Sequence, residues 1–326
     1  MEFGWIGATD FPVSRLGFGC CAASNYDYGP LDEVAWIDAV QGAIDAGINF
    51  FDVAGVYGFG LAESLLSRAL GNKRHEVIIA TKGGLKWDSQ GRVSRDCSSR
   101  QIVQDLEDSL RRLRLETIPL YQVHWPDPRT PLEETLGTLA RCQSEGKIRF
   151  VGLSNFSVEE MQSVRRTHRI DSLQAQYNLL SREIEHGVLS WCFANETSML
   201  AHTGLARGLL SGKRSFGSRF QANDTRTHSP YFSHEGSPQK QSLLDALDRL
   251  SKRTGRSVSS ISLRWILDDP RVSSVLVGIK SRAQLKENLQ ATGWYLDVSD
   301  REHLCSLSDA CPGGLAGIPA HAAVAK

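Results

Sequence analysis

Short runs of β-branched and aliphatic residues alternate with longer amphipathic stretches almost from end to end, and this alternation most restricts what the chain can fold into. The runs fall at 16–18, 49–52, 77–81, 119–124, 149–153, 172–176, 198–202 and 274–277. Strands separated by helices pair in parallel, because a crossover of helical length returns the chain to the same end of a sheet. Eight units of roughly 30 residues close a (β/α)8 barrel, a TIM barrel of about 250 residues. In a chain of 326 residues this leaves room for extra C-terminal helices and long loops on the C-terminal face of the barrel. The expected organisation is one barrel domain over 1–310 and a Gly/Ala/Pro-rich, mobile tail over 311–326.

Between the strands, apolar residues recur at helical spacing: Val34, Ile37, Val40 and Ile44; Ile102, Leu106, Leu110 and Leu113; Leu132, Leu136 and Leu139. Each set predicts a stripe facing the core. Ser99 and Thr130 stand where N-caps belong, and Gly47 and Gly146 where helices stop. Two segments depart from plain alternation. Residues 85–97 form a polar insertion after the third strand, and residues 214–237 a Ser/Gly/Asn/Pro-rich connection after the seventh. Both sit where barrels place function.

Lys plus Arg equals Asp plus Glu at 37 each, so no overall charge draws the chain to nucleic acid or an anionic membrane. The seven cysteines show neither a CxxC pair nor a metal-like spacing to histidine, which indicates reduced thiols and no metal. No basic n-region with an apolar h-region opens the sequence, and no stretch reaches the roughly 18 apolar residues of a membrane span. A cytoplasmic protein with a small-molecule ligand is expected. No feature specifies an oligomeric state.

Four strand ends each deliver a polar residue: Asp52 after Asn49-Phe50-Phe51, Tyr57 five residues on, Lys82 after 77–81 and His124 after 120–123. Parallel barrel strands all end on one face, so these residues meet in one cleft. The set has a chemical logic. A phenol ionises near ~10 in water and is a weak acid–base group at neutral pH. An ammonium beside it favours the phenolate, a carboxylate holds that ammonium, and an imidazole orients a carbonyl oxygen.

The chain resembles the aldo-keto reductases. The resemblance runs from about Arg15 to Asn288 and is carried by Asn49-Phe50-Phe51-Asp52-Val53-Ala54-Gly55-Val56-Tyr57-Gly58, Ala80-Thr81-Lys82 and Gln122-Val123-His124-Trp125-Pro126-Asp127. Further matches are the run 146–156 ending Gly152-Leu153-Ser154-Asn155-Phe156, then Gln176-Tyr177-Asn178-Leu179-Leu180, Gly208-Leu209-Leu210-Ser211-Gly212-Lys213, and Gly278 through Gln284 to Glu287-Asn288. Within the family it resembles the bacterial branch with a long loop after strand seven, which includes reductases linked to inositol catabolism.

The resemblance implies hydride transfer between NADPH/NADP+ and a carbonyl or alcohol, with Asp52, Tyr57, Lys82 and His124 as the catalytic set. The cofactor site it implies has no Gly-x-Gly-x-x-Gly turn, and this chain has none between a strand and a helix. Ser154, Asn155 and Gln176 would hold the carboxamide of the nicotinamide, and Gly19 and Cys20 would touch the cofactor from the first loop. Leu205, Gly208, Leu210 and Lys213 would line the pyrophosphate path. Gly278, Lys280 and Gln284 would face the adenosine 2′-phosphate, with Glu287 and Asn288 on the adenine. Trp125, Tyr26, Tyr28 and Trp87 are the candidates for substrate contact.

One place breaks the family pattern. Its usual aromatic-Ser-Pro-Leu reads His202-Thr203-Gly204-Leu205, so His202 and Thr203 stand at the nicotinamide. A histidine stacks over less area and titrates near neutrality, which predicts that lower pH favours the reduced cofactor between about pH 5.5 and 8. Three readings share these residues: an NADPH-dependent reductase of aldehydes, ketones or sugars, an NAD(P)-dependent sugar or alcohol dehydrogenase, and a cofactor-binding regulatory subunit with the same fold.

Overall fold

The computed structural model describes residues 1–7, 9, 11–24, 28–221 and 224–311. The tail expected at 311–326 lies outside the described residues from 312 onward. The chain opens with an antiparallel hairpin, β1 (Phe3–Trp5) and β2 (Pro12–Ser14), then runs through β3 (Leu16–Gly19), α1 (Glu33–Asp45), β4 (Phe50–Asp52), α2 (Leu61–Leu70) and β5 (Ile78–Gly83). A second hairpin, β6 (Leu85–Trp87) and β7 (Val93–Arg95), occupies the insertion and leads to α3 (Ser99–Leu113). Then follow β8 (Ile118–Val123), α4 (Leu132–Ser144), β9 (Ile148–Ser154), α5 (Val158–Val164), β10 (Ser172–Gln176), α6 (Val188–Ala194) and β11 (Ser198–His202). The long connection leads to α7 (Ser237–Thr254) and α8 (Val258–Leu267), and β12 (Val272–Gly278), α9 (Arg282–Leu289) and α10 (Val298–Asp309) complete the fold.

The strands β3, β4, β5, β8, β9, β10, β11 and β12 form a closed, all-parallel barrel in that order. The seam is the β12–β3 pairing, from Val275 opposite Leu16 to Gly278 opposite Gly19. Successive side chains on a strand point to opposite faces. Outward residues such as Phe51, Ile79 and Tyr121 therefore pack under the helices. Inward residues Phe50, Ile78, Ala80, Leu120, Leu200 and Leu276 form a second, smaller cluster with Ile6 and Val13 of the first hairpin. The hairpin thus closes the end of the barrel where the strands begin. Two residues further along the same inward rows stand Asp52, Lys82, Gln122, His202 and Gly278. The interior changes from apolar at the plugged end to polar at the open end.

Three local expectations are corrected. Val34 is exposed, and α1 buries Trp36, Ala39, Val40 and Ala43, with Ile37 and Ile44 at the margin. The bulk of Trp36 takes the core position and turns Val34 outward. The N-cap of α3 is Ser98, which accepts from the Gln101 amide, while the Ser99 hydroxyl donates to Glu134. Helix α4 starts after Pro131, and the Thr130 hydroxyl instead donates to Asp127 at 3.0 Å. A residue before proline is driven to extended backbone, which moves the helix start past it. The expected stops hold, with Gly47 and Gly146 both at positive φ just beyond their helices.

If the hairpin seals the barrel, Ile6→Ala should lower stability by about 2–5 kcal/mol in urea unfolding, as other large-to-small core changes do. A loss below about 0.5 kcal/mol, typical of surface substitutions, would show that Ile6 is not part of the core.

Candidate active site

At the open end, β4 and β5 place Asp52 and Lys82 side by side. The Lys82 ammonium donates to both Asp52 oxygens, at 2.7 and 2.9 Å, and to the carbonyl of Val53 at 3.0 Å. Its side chain has no solvent exposure. Two amides from other strands complete the shell: Gln174 Nε2 donates to Asp52 Oδ2 at 2.8 Å and Gln122 Nε2 reaches it at 3.4 Å. A buried ion pair is tolerated when its remaining lone pairs and protons are also satisfied, and here four strands contribute to that.

Tyr57 lies on the loop after β4. Its ring centroid is 5.2 Å from the Lys82 ammonium, and His124 packs edge-on against it at 5.8 Å. The loop holds the ring through a turn with positive φ at Gly58, Phe59 and Gly60. A Cβ on Gly58 would stand 2.6 Å from the Ser24 carbonyl oxygen, and one on Gly60 2.8 Å from Arg112 Cδ. The turn is therefore clamped between the first loop and α3, where Glu63 fixes Arg112 at 2.6 Å. His124 follows β8, with its amide on the Gly83 carbonyl at 3.0 Å. All four expected catalytic residues thus meet.

From this cluster a groove of about 790 Å³ runs across the barrel mouth. Near Tyr57 its walls are uncharged hydroxyl and amide groups, Ser154, Asn155 and Gln176. After β11 they are the glycine-rich turn at Gly208 with Arg207, Lys213 and Arg214, and around the β12–α9 connection Gly278, Lys280, Gln284, Glu287 and Asn288. Gly19, His202, Thr203 and Leu205 also line it. Cys20 and Leu210 are fully buried and do not, and Cys21 and Ser211 reach the groove beside them. Neutral amides, cations on a glycine turn and a helix start in one groove suit a molecule that carries both a carboxamide and phosphates.

His202 is set in a hydrogen-bonded chain. Its Nδ1 lies 2.8 Å from the Thr203 hydroxyl and its Nε2 3.2 Å from Asn155 Oδ1. Burial, then the Lys82 and Arg207 cations, push the imidazole down to about 3. This overturns the expectation of a histidine that titrates near neutrality: a cation is too costly in that setting.

Between β12 and α9, the Lys280 ammonium donates to the carbonyls of Tyr28 at 2.8 Å, Pro30 at 3.2 Å and Gly29 at 3.3 Å. Burial lowers its proton affinity, with Arg226 adding to the effect. Glu287 is held by Lys213 and by the Ser259 hydroxyl. Among the candidate substrate residues, Trp125 and Tyr28 line the groove. Trp87 packs instead against Phe59 at 5.8 Å, and Tyr26 lies outside the described residues. Sequence reasoning gave no role to Gln122 and Gln174, although each stands two residues before a site residue on the same inward row. It also passed over Arg207, Arg214 and Arg226, which line the groove.

The model of the aldo/keto reductase family matches residues 15–307. Aldo-keto reductase YhdN of Bacillus subtilis (strain 168) is 38% identical over 307 residues, covering 93% of this chain and 92% of its own. The NADH-specific methylglyoxal reductase of Escherichia coli (strain K12) is 29% identical over 320 residues, covering 94% and 98%. Among solved structures, the glycerol dehydrogenase AKR11B4 from Gluconobacter oxydans superposes with a TM-score of 0.86 at 34% identity, over 94% of both chains. The chain belongs to the aldo/keto reductase family, whose members are oxidoreductases of carbonyl and alcohol groups that use nicotinamide cofactors.

Proposed function

We propose that this protein is a cytoplasmic, single-barrel, NADPH-dependent reductase of a small aldehyde, ketone or sugar, with Tyr57 as general acid. The observation that carries the reading is the Tyr57 ring held 5.2 Å from an ammonium that is itself locked onto Asp52, beside His124. A nicotinamide cofactor supplies the hydride when bound. Tyr57 gives its phenolic proton to the carbonyl oxygen, and the Lys82 ammonium stabilises the phenolate left behind. Asp52 fixes Lys82, while His124 orients the oxygen. Ser154, Asn155 and Gln176 receive the carboxamide. Gly19, Leu205, Gly208 and Lys213 would line the pyrophosphate path. Lys280 and Gln284 face the 2′-phosphate. Trp125 and Tyr28 flank the substrate.

The cytoplasmic placement is supported by seven free thiols. No helix among the described residues is long and apolar enough to cross a membrane.

A second reading, use of NADH, is favoured by the three carbonyls already on Lys280. An ammonium has three protons to give, so a 2′-phosphate must displace or share those bonds. A relative described as NADH-specific points the same way.

Tyr57→Phe should keep fold and cofactor binding yet lose roughly 10²–10⁴-fold in turnover on a carbonyl panel, because only proton transfer is removed; near-native turnover would overturn the mechanism. Lys280→Ala should narrow the NADPH-over-NADH ratio of kcat/KM, by up to about 1–3 kcal/mol for a charge-assisted bond. Wild-type enzyme that does not distinguish the two cofactors would instead establish the NADH reading. His202 should stay neutral across about pH 5.5–8, so His202→Gln should leave the pH dependence of NADP+ affinity over that range unchanged in fluorescence titrations. With the folded value near 3 and the unfolded value near ~6.5, the unfolded chain takes up the proton first. The contribution to stability is therefore full above about pH 6.5 and declines as pH falls below it, which urea unfolding at several pH values measures.

A further inference from the structure

We propose that His202 is a positioning residue that acts through a hydrogen bond rather than through its ring face: its Nε2–H holds the amide oxygen of Asn155 and so fixes the amide that receives the nicotinamide. The proposal rests on the assignment of Asn155 to the carboxamide and adds to it how that amide is held and what the histidine does in place of the family's usual stacking aromatic.

The hydrogen-bond directions follow from the partners. Asn155 Nδ2 faces two acceptors, the His124 carbonyl at 3.1 Å and the Ser154 hydroxyl oxygen at 2.9 Å. The amide is thereby oriented with its NH2 toward the catalytic histidine and its oxygen toward His202. An amide oxygen only accepts, so Nε2 of His202 carries the proton. A neutral imidazole then has no proton on Nδ1, and Nδ1 accepts from the Thr203 hydroxyl at 2.8 Å. Burial and the Lys82 and Arg207 cations keep the ring neutral, which leaves one nitrogen to donate and one to accept. The amide oxygen of Asn155 has a second lone pair, and the groove is where that lone pair can be used.

The backbone is bent to make this chain. Thr203 has a φ of +58° and Asn155 of +64°. Asparagine tolerates the left-handed region, whereas a β-branched residue is an outlier there. The strained Thr203 peptide is held through its carbonyl, which accepts from Asn178 Nδ2 at 3.0 Å and from the Ala206 amide at 2.8 Å. Asn178 is fully buried and also donates to the Tyr231 hydroxyl at 2.9 Å. Strain that the surroundings over-determine at a site is a mark of a geometric requirement, and here the requirement is the Thr203 hydroxyl on Nδ1, which selects the tautomer able to donate to Asn155.

A hydrogen-bond role and a stacking role give opposite orders in one experiment. His202→Gln keeps an N–H donor of similar reach and has no aromatic face; His202→Phe keeps the face and has no donor. Fluorescence titration with NADPH and with NADH is expected to leave His202→Gln within about threefold of wild type and to weaken His202→Phe about tenfold, a loss of the size expected of one hydrogen bond. The reverse order overturns the proposal. Imidazole ¹⁵N NMR of the cofactor-free protein is expected to show His202 with the proton on Nε2 and, in Thr203→Val, a mixture of tautomers. A wild-type proton on Nδ1 overturns it independently of any cofactor. Asn155→Ala separates the two levels: unchanged cofactor affinity there overturns the carboxamide assignment and the proposal with it. Weakened affinity in Asn155→Ala together with wild-type affinity in His202→Phe overturns the proposal alone.

Discussion

The buried Lys82–Asp52 pair is the interaction on which the rest of the site depends. Two ions taken out of water lose several kcal/mol of hydration each, and their attraction compensates only if geometry and outer hydrogen bonds are right. The barrel supplies both. Lysine and aspartate come from the adjacent strands β5 and β4, paired through Asp52 opposite Ala80. The two glutamines that finish the carboxylate shell come from β8 and β10. A slip of one residue on any of these strands would send its polar side chain to the helix layer, so the pair and the register of half the barrel specify each other. Beneath it, the apolar plug of Ile6, Val13, Phe50 and Leu120 keeps water from the far side, which strengthens the field that Lys82 exerts on Tyr57.

The outer face of β5 shows the same economy. Lys82 points inward while its neighbour Thr81 points outward and donates to the buried Glu63 at 2.6 Å. Glu63 also receives Arg112, and Arg112 is the side chain against which Gly60 is packed. One strand therefore ties the inward cation to the turn that carries Tyr57, through an outward hydrogen bond, a carboxylate and a guanidinium. The separation between phenol and ammonium is set by packing on both faces of the sheet.

Much of this was legible in the sequence. Eight strand runs, their parallel order and the convergence of Asp52, Tyr57, Lys82 and His124 follow from periodicity and from the rule that strand ends share a face. The partners of Asp52 did not, because a glutamine inside a strand carries no signature of its own. Only the period-two rows Leu120-Gln122-His124 and Ser172-Gln174-Gln176, considered with the neighbouring strands, mark them as inward. The neutrality of His202 was illegible for a related reason. An isolated histidine suggests a titrating group, and what prevents titration is its burial and the charge of Lys82 and Arg207, which are 120 positions before it and five after it in the chain. The first hairpin was missed because three-residue strands fall below any periodicity.

Charge at the groove carries the same lesson into energetics. The chain as a whole balances 37 cationic against 37 anionic residues, yet Arg207, Lys213, Arg214, Arg226 and Lys280 gather along one groove. Each of these cations already has a partner: Arg207 has the Thr225 hydroxyl, Lys213 has Glu287, Arg214 has the Phe220 ring, Arg226 has Asp224, and Lys280 has the carbonyls of the first loop. A phosphate entering the groove therefore exchanges existing contacts for new ones instead of meeting bare charge, and the net gain is the difference between the two. Those existing contacts also join separate loops, Lys280 to the loop after β3 and Lys213 to α9. Any ligand that recruits these cations must alter the connections across the barrel mouth, so recognition of the phosphates and the arrangement of the loops around them are coupled by construction.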